Sequence, residues 1–142
     1  MSRAQMAALA LSLAGVGISI YLTLLHYAGV APACPSSGMV NCEAVLTSSY
    51  SVIAGTTIPT SAAGIVWSAA SALLWGWRVG PLHLVWSAIG LATALYLVFV
   101  ELVVIRVICL WCTAAHVLVF AIALIAVTIA LSPSGRGEGR GA

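Results

Sequence analysis

The chain has 142 residues, of which 63% are hydrophobic and only 6% charged, with a formal net charge of +2. Soluble domains carry roughly a quarter of their residues as charged groups, so this composition excludes one, and the absence of any basic patch excludes a nucleic-acid binder. Lys and Asp are absent, the acids are Glu43, Glu101 and Glu138, and every cation is an Arg. The composition fits an all-α membrane protein built as one compact bundle.

In chain order, the first charge-free run is Met6–Ala28, long enough for a hydrocarbon core that needs about 20 helical residues. The same stretch has features of a secretory signal, with Arg3 ahead of it and a cleavage-like Ala31-Pro32-Ala33 before Cys34. Signal cores, however, run only about 7–15 apolar residues, and everything downstream is equally membrane-like. The run is therefore predicted to be a first span, residues 6–28.

Residues 29–59 form the one long connection. Pro32, Pro35, Gly38, Asn41, Gly55 and Pro59 punctuate it, while Val45-Leu46 and Tyr50–Ala54 are apolar, which a polar tether would not be. It is predicted to fold back as an outer loop with a short helix that caps the mouth of the bundle. Pro59 suits the first turn of a second span, residues 60–77, where Ser61, Ala62, Ala63, Gly64, Ser68 and Ala69 permit close helix approach in lipid.

Arg78-Val79-Gly80-Pro81 reads as a tight turn. The third span is predicted at 82–105 and the fourth at 107–131, with only Arg106 separating them by polarity. Residues 1–131 thus form one four-transmembrane-helix domain, and the Gly/Ser/Arg-rich tail 132–142 is predicted to be disordered. No internal repeat is present.

Orientation follows from the arginines. Four spans place Arg3, Arg78, Arg136 and Arg140 on one side and Arg106 on the other. The positive-inside rule then puts both termini in the cytoplasm of a multi-pass plasma-membrane protein. The 29–59 loop, the Arg106 hairpin and all four cysteines face the extracytoplasmic side, an oxidising compartment in which cysteines pair.

Those cysteines are Cys34, Cys42, Cys109 and Cys112. Cys109-Leu110-Trp111-Cys112 opens the fourth span, where the free N–H groups and dipole of a helix start favour a thiolate without help from Lys or Arg. A redox relay, a zinc site and a pair of structural disulfides all use four cysteines. Structural zinc pairs sit two to four residues apart, whereas seven residues separate Cys34 from Cys42. Disulfides of the C-x-x-C kind at helix starts are typically labile rather than structural. Thiol–disulfide exchange ending at a hydrophobic two-electron acceptor, a membrane quinone, fits best, with no metal.

His116 lies four residues beyond Cys112 on the same helical stripe. It is either a hydrogen-bonded core histidine or a donor to a quinone carbonyl. Glu101, in the third span, suggests a rival class, a proton-coupled small-molecule transporter. Its place near the outer end instead favours a structural acid that snorkels. His26 and His83 sit near span ends and are predicted to be interfacial. Trp67, Trp75, Trp77 and Trp86 read as anchors or packing, and Trp111 as a residue that also shapes the acceptor pocket.

At these residues the chain resembles the vitamin K epoxide reductase family, in its bacterial disulfide-forming branch. The resemblance rests on Cys34 and Cys42 in the first loop, Val45-Leu46-Thr47-Ser48-Ser49-Tyr50 after them, and Ile58-Pro59 leading to Gly64. Tyr96-Leu97 and Cys109-x-x-Cys112 complete it. The DsbB type of quinone-linked enzyme carries its C-x-x-C in the first outer loop, the reverse order.

The resemblance implies that Cys34 exchanges with a partner protein, Cys42 passes reducing equivalents to Cys109, and Cys112 faces the quinone, menaquinone or ubiquinone. The amide and tyrosine that hold the quinone in animal members fall at Thr60 and His116, both different in type here. It further implies a thiol:quinone oxidoreductase that reoxidises a DsbA-like, thioredoxin-fold disulfide oxidase. That partner is expected to be a separate extracytoplasmic protein, because no fused thioredoxin-like domain follows the bundle. A vitamin K quinone or epoxide reductase of the endoplasmic reticulum is the alternative within the family.

Overall fold

The computed structural model describes residues 1–35, 37–77 and 80–132. Helix α1 (Arg3–Ala28) opens with a reciprocal cap, Ser2 Oγ accepting the Gln5 N–H at 3.2 Å and Gln5 Oε1 accepting the Ser2 N–H at 2.8 Å. That cap starts the helix three residues ahead of the apolar run. Gly29, at φ +66°, ends it in the left-handed conformation that a residue without Cβ adopts freely.

The connection then forms a short helix α2 (Cys42–Leu46) and a 3-10 turn at Ser49–Ser51. Three long elements follow: α3 (Thr60–Trp77), α4 (Pro81–Phe99) and α5 (Leu110–Leu131). Helix α4 continues as a π-helical turn over Val100–Ile105, and Arg106 reverses the chain with φ +62°. The Arg78-Val79 turn and the tail beyond Ser132 lie outside the described residues.

Three of these helices are long and apolar enough to cross a membrane: Arg3–Ala28, Pro81–Ile105 and Leu110–Leu131. Helix α3 falls short of that measure because small and hydroxyl residues replace much of its apolar surface. Those residues serve packing instead. Gly15 on α1 faces Ser68 on α3, and Gly64 on α3 faces Ser19 on α1, so closely that an added Cβ would lie 2.8 and 2.7 Å from the two serine hydroxyls. Ser12 Oγ donates to Ala8 O at 2.8 Å and to Ser71 Oγ at 3.1 Å, and Thr23 and Ser61 share a hydroxyl bond of 2.8 Å. A seam of small residues joined by hydroxyls is how helices associate where lipid offers no hydrophobic drive.

Trp67 and Trp86 join α3 to α4, each indole N–H donating to the other's backbone carbonyl at 3.2 Å with the rings stacked. Near the start of α1 and the end of α3, Ala8, Trp75, Ile122 and Ala126 form an apolar core. His83, expected at the interface, is buried there edge-on to Trp75 with ring centroids 4.4 Å apart. The Trp75 ring covers it.

The fourth helix begins at Leu110 and not at residue 107 as expected. Val107–Cys109 are extended because their backbone pairs with the connection: Ile108 N–H donates to Met39 O at 2.7 Å, and Asn41 N–H to Ile108 O at 2.9 Å. A residue whose N–H and C=O point sideways to another segment cannot also serve a helix.

Candidate functional site

That backbone pairing positions the cysteines. A tight turn at Gly38 (φ +60°) closes Ser37 onto Val40, and the chain then runs beside Ile108. Asn41 ends the pairing and caps α2, its Oδ1 accepting the Ala44 N–H at 3.0 Å. Cys42, the first residue of α2, and Cys109, the N-cap of α5, thereby pack in one buried cluster with Val45, with Cys34 and Cys112 against it. Cys34 and Cys42 are joined by a disulfide with Cα atoms 6.1 Å apart, and Cys109 and Cys112 are free thiols.

Cys109 takes the place that a hydroxyl or carboxylate usually fills at a helix start. Its Sγ accepts the Cys112 N–H at 3.4 Å. The Cys112 thiol hydrogen-bonds to it as well and is the main cause holding the Cys109 thiol below its ordinary range. The Cys112 and Trp111 N–H groups add to this, while burial and the nearby Glu101 carboxyl oppose it.

Cys34 is held from the other side. Trp111 Nε1 donates to Ala33 O at 3.0 Å, its ring lies against Tyr21 with centroids 4.8 Å apart, and the Ala33 N–H donates to Tyr21 Oη at 3.3 Å. Trp111 thus clamps the segment leading into Cys34. It is not on the wall of the cavity that sequence reasoning assigned it to.

That cavity, about 800 Å³, lies between α1, α3, α4 and α5 beneath the connection. Its wall is mainly apolar, with Leu22, Leu97, Val119 and Ile122 among its residues, and Thr60, His116, Glu101 and Cys112 supply polar points. Thr60 Oγ1 donates to Tyr50 O at 3.1 Å. Cys112 is the one cysteine on the wall. Among the four cysteines, Cys34 is half-buried, Cys42 2% exposed, Cys109 fully buried, and Cys112 is half-buried and opens onto the cavity. No three His, Cys, Asp or Glu side chains converge as a metal set among the described residues.

Glu101 departs from the expectation of a snorkelling acid. It is 6% exposed, with Oε2 accepting the Cys109 N–H at 3.3 Å and Oε1 lying 3.9 Å from His116 Nδ1. It continues the buried stripe of α4, His83, Ser87, Gly90 and Ala94, at helical spacing, while Leu102, Val103 and Val104 of the π-helical turn are exposed. An acid alone in an apolar run was the signal available in sequence. Tyr21 and the pairing partner Met39–Asn41 gave no local signal, because their roles depend on segments far away in the chain.

A comparison with curated proteins found no significant match. The family model described as "Vitamin K epoxide reductase family" matches residues 6–127, a span that contains every cysteine, the cavity wall and the Glu101–His116 pair. The chain belongs to the vitamin K epoxide reductase family.

Proposed function

We propose that this protein is a membrane thiol:quinone oxidoreductase, with α3 as the fourth span beside the three apolar helices and the 29–59 connection capping the bundle. Both termini face the cytoplasm of a plasma membrane and the cysteines face the extracytoplasmic side, a reading supported by the arginine asymmetry. Family members are oxidoreductases that work on thiols and quinones. The observation that carries the reading here is that the buried Cys42 and Cys109 share one cluster, with the more accessible Cys34 on one side and Cys112 opening onto an apolar cavity on the other.

A reduced thioredoxin-fold protein of the DsbA-like kind attacks the Cys34–Cys42 disulfide at Cys34, the more accessible sulfur. Cys42, once freed, attacks a Cys109–Cys112 disulfide at Cys109, and Cys112 leaves. After the partner's second thiol has released Cys34, Cys34 attacks Cys42, which restores Cys34–Cys42 and leaves Cys109 and Cys112 as thiols. Each exchange conserves electrons, because one disulfide forms as another opens. Cys109 and Cys112 are then reoxidised to a disulfide, and their two electrons and two protons pass to the acceptor. A quinone supplies the chemistry of accepting both. The cavity suits one, since its volume lies within the roughly 300–1,000 Å³ of small-molecule sites and its wall combines apolar side chains with His116 and Thr60. Menaquinone and ubiquinone share that head-group chemistry.

The test is the purified full chain in detergent with a reduced thioredoxin-fold protein and a short-chain quinone. Partner thiols should disappear in step with quinone reduction, and Cys112→Ser should abolish both. Thiol loss without quinone reduction would overturn the acceptor. Membrane transport that survives replacement of all four cysteines would point to the transporter class.

A further inference from the structure

The sulfur path accounts for the electrons but not for the protons. Two thiols that become a disulfide release two protons, and the acceptor needs both on its oxygens. Cys109 is fully buried and does not reach the cavity wall, so its proton has no direct route to a bound acceptor. Beside it stands a carboxyl group that the exchange chemistry leaves unused.

Glu101 stands beside this gap, bonded to the backbone of Cys109 on one side and facing His116 on the other. Its Oε2 accepts the Cys109 backbone N–H at 3.3 Å, and its Oε1 faces His116 Nδ1 at 3.9 Å, about one ångström beyond hydrogen-bond length. A rotamer adjustment or one bridging water closes that distance. Both side chains are nearly buried, Glu101 at 6% and His116 at 8% exposure, and both lie on the wall with Cys112. A buried acid beside a histidine is costly in lipid unless it has work to do. Imidazole can take a proton at one nitrogen and release one from the other.

We propose that Glu101, acting through His116, carries the Cys109 thiol proton to the acceptor that lies in the cavity against Cys112. The proposal rests on the thiol:quinone reading and adds the proton route to it. Cys109 gives its proton to the Glu101 carboxylate, and its sulfur forms the S–S bond with Cys112 as the electron pair leaves for the quinone. Glu101 passes the proton to His116 Nδ1, and His116 releases the proton on Nε2 to one acceptor oxygen. The Cys112 thiol proton supplies the second. Two thiols and a quinone become a disulfide and a quinol, with atoms and electrons balanced.

The other titratable groups around this pair are Cys109 and Cys112 at the start of α5, Glu43 and Tyr50 from the connection, and His26 on α1. Helix α3 contributes none to the wall. Any pH effect must therefore be assigned by substitution at Glu101 itself.

Glu101→Gln keeps an oxygen for the Cys109 N–H and removes only the capacity to carry a proton. Two measurements on the full chain test the idea. The first mixes pre-reduced protein with a short-chain quinone and follows a single turnover across pH. Wild type should slow at low pH, where Glu101 is already protonated and cannot accept. Glu101→Gln should turn over roughly a hundredfold more slowly, as loss of a positioned acid–base group does, and should lose that acid limb. Glu101→Asp should restore the limb in part. An unchanged rate and profile in Glu101→Gln overturns the proposal.

The second needs no quinone. Infrared difference spectra between the Cys109–Cys112 disulfide and dithiol states should show a carboxyl band that changes protonation. It should vanish in Glu101→Gln, shift in His116→Phe and survive Glu43→Gln. Absence of any such band in wild type overturns the proposal even if Glu101→Gln does not fold. If the band is present but wild type reduces no quinone, the acceptor assignment fails while the proton pair stands. If quinone is reduced and no band exists, the reverse holds.

Discussion

The two ends of the bundle use the same helices for opposite purposes. At the inner end, the one away from the cysteines, Ala8, Trp75 and Ala126 pack together with Ile122, which also reaches the cavity, and His83 is buried against the Trp75 ring. At the outer end the helices part around a cavity of about 800 Å³. What holds that end together is polar and specific: the Met39–Ile108–Asn41 backbone pairing, the Tyr21–Trp111 clamp on Ala33, and the Glu101 bond to Cys109. Packing at one end supplies stability that tolerates rearrangement at the other. Substitutions should therefore separate cleanly, with inner ones lowering stability and outer ones lowering electron transfer.

The sharpest outer-end break is Cys112→Ser. It should abolish quinone reduction while leaving the protein folded, because the serine hydroxyl is smaller and sits on a cavity wall with room to spare. A stopped quinone-reduction assay with an unchanged unfolding temperature is the expected pair of results. The matching inner-end break is Trp75→Ala, which empties a side chain only 2% exposed. Removing a buried Trp costs about 3–5 kcal/mol, read as a large drop in unfolding midpoint. Folded Trp75→Ala protein should still exchange electrons between its cysteine pairs. Loss of that exchange at temperatures where it remains folded would mean the two ends are not separable.

The division was half legible in sequence. Charge-free runs marked the long helices, and spacing placed Cys112 and His116 on one face of α5, because both depend on local periodicity. Cys109, expected on the same stripe, is the extended cap ahead of the helix. The start of α5 was read three residues early. Hydropathy marks Val107 and Ile108 as membrane-like, but their backbone is engaged by Met39 and Asn41, a pairing between segments that no local pattern encodes. Glu101 differs for another reason. Its position near a span end argues for snorkelling, but it lies seven residues after Ala94 on the buried stripe of α4, and that periodicity outweighs the nearness of the span end. Trp111 looked like a pocket residue because it sits between two cysteines. Its ring instead lies against Tyr21, its Nε1 donates to Ala33 O, and it packs with the cysteine cluster.

A smaller effect is expected at that clamp. Trp111→Phe keeps the ring against Tyr21 but removes the Nε1 donor to Ala33 O, a bond worth about 1 kcal/mol. The Cys34 segment should loosen and exchange with the partner protein should slow several-fold. Quinone reduction driven by a small dithiol, which reaches the inner pair without docking, should hold its rate. Equal slowing of both would show that Trp111 serves the cavity after all.

The smallest effect is a pH dependence confined to the outer end. In the reduced state Cys109 is held below its ordinary thiol range, chiefly by the Cys112 thiol and further by the Cys112 and Trp111 N–H groups. A group whose folded-state pKa is depressed adds stability that is present above its unfolded pKa and is lost as pH falls through the folded value. Reduced protein should therefore lose a small increment of stability on acidification from mildly alkaline pH. Oxidised protein, in which Cys109 and Cys112 are bonded and do not titrate, should lack it. Thiolate ultraviolet absorbance gives the direct readout. Its midpoint for Cys109 should lie below the free-thiol value of about 8.5, and Cys112→Ala should move it upward by removing the largest stabilising partner. Trp75→Ala, at the far end, should leave that midpoint where it was. A midpoint that follows Trp75 rather than Cys112 would show the thiolate to be governed by the packing of the whole bundle rather than by the start of α5.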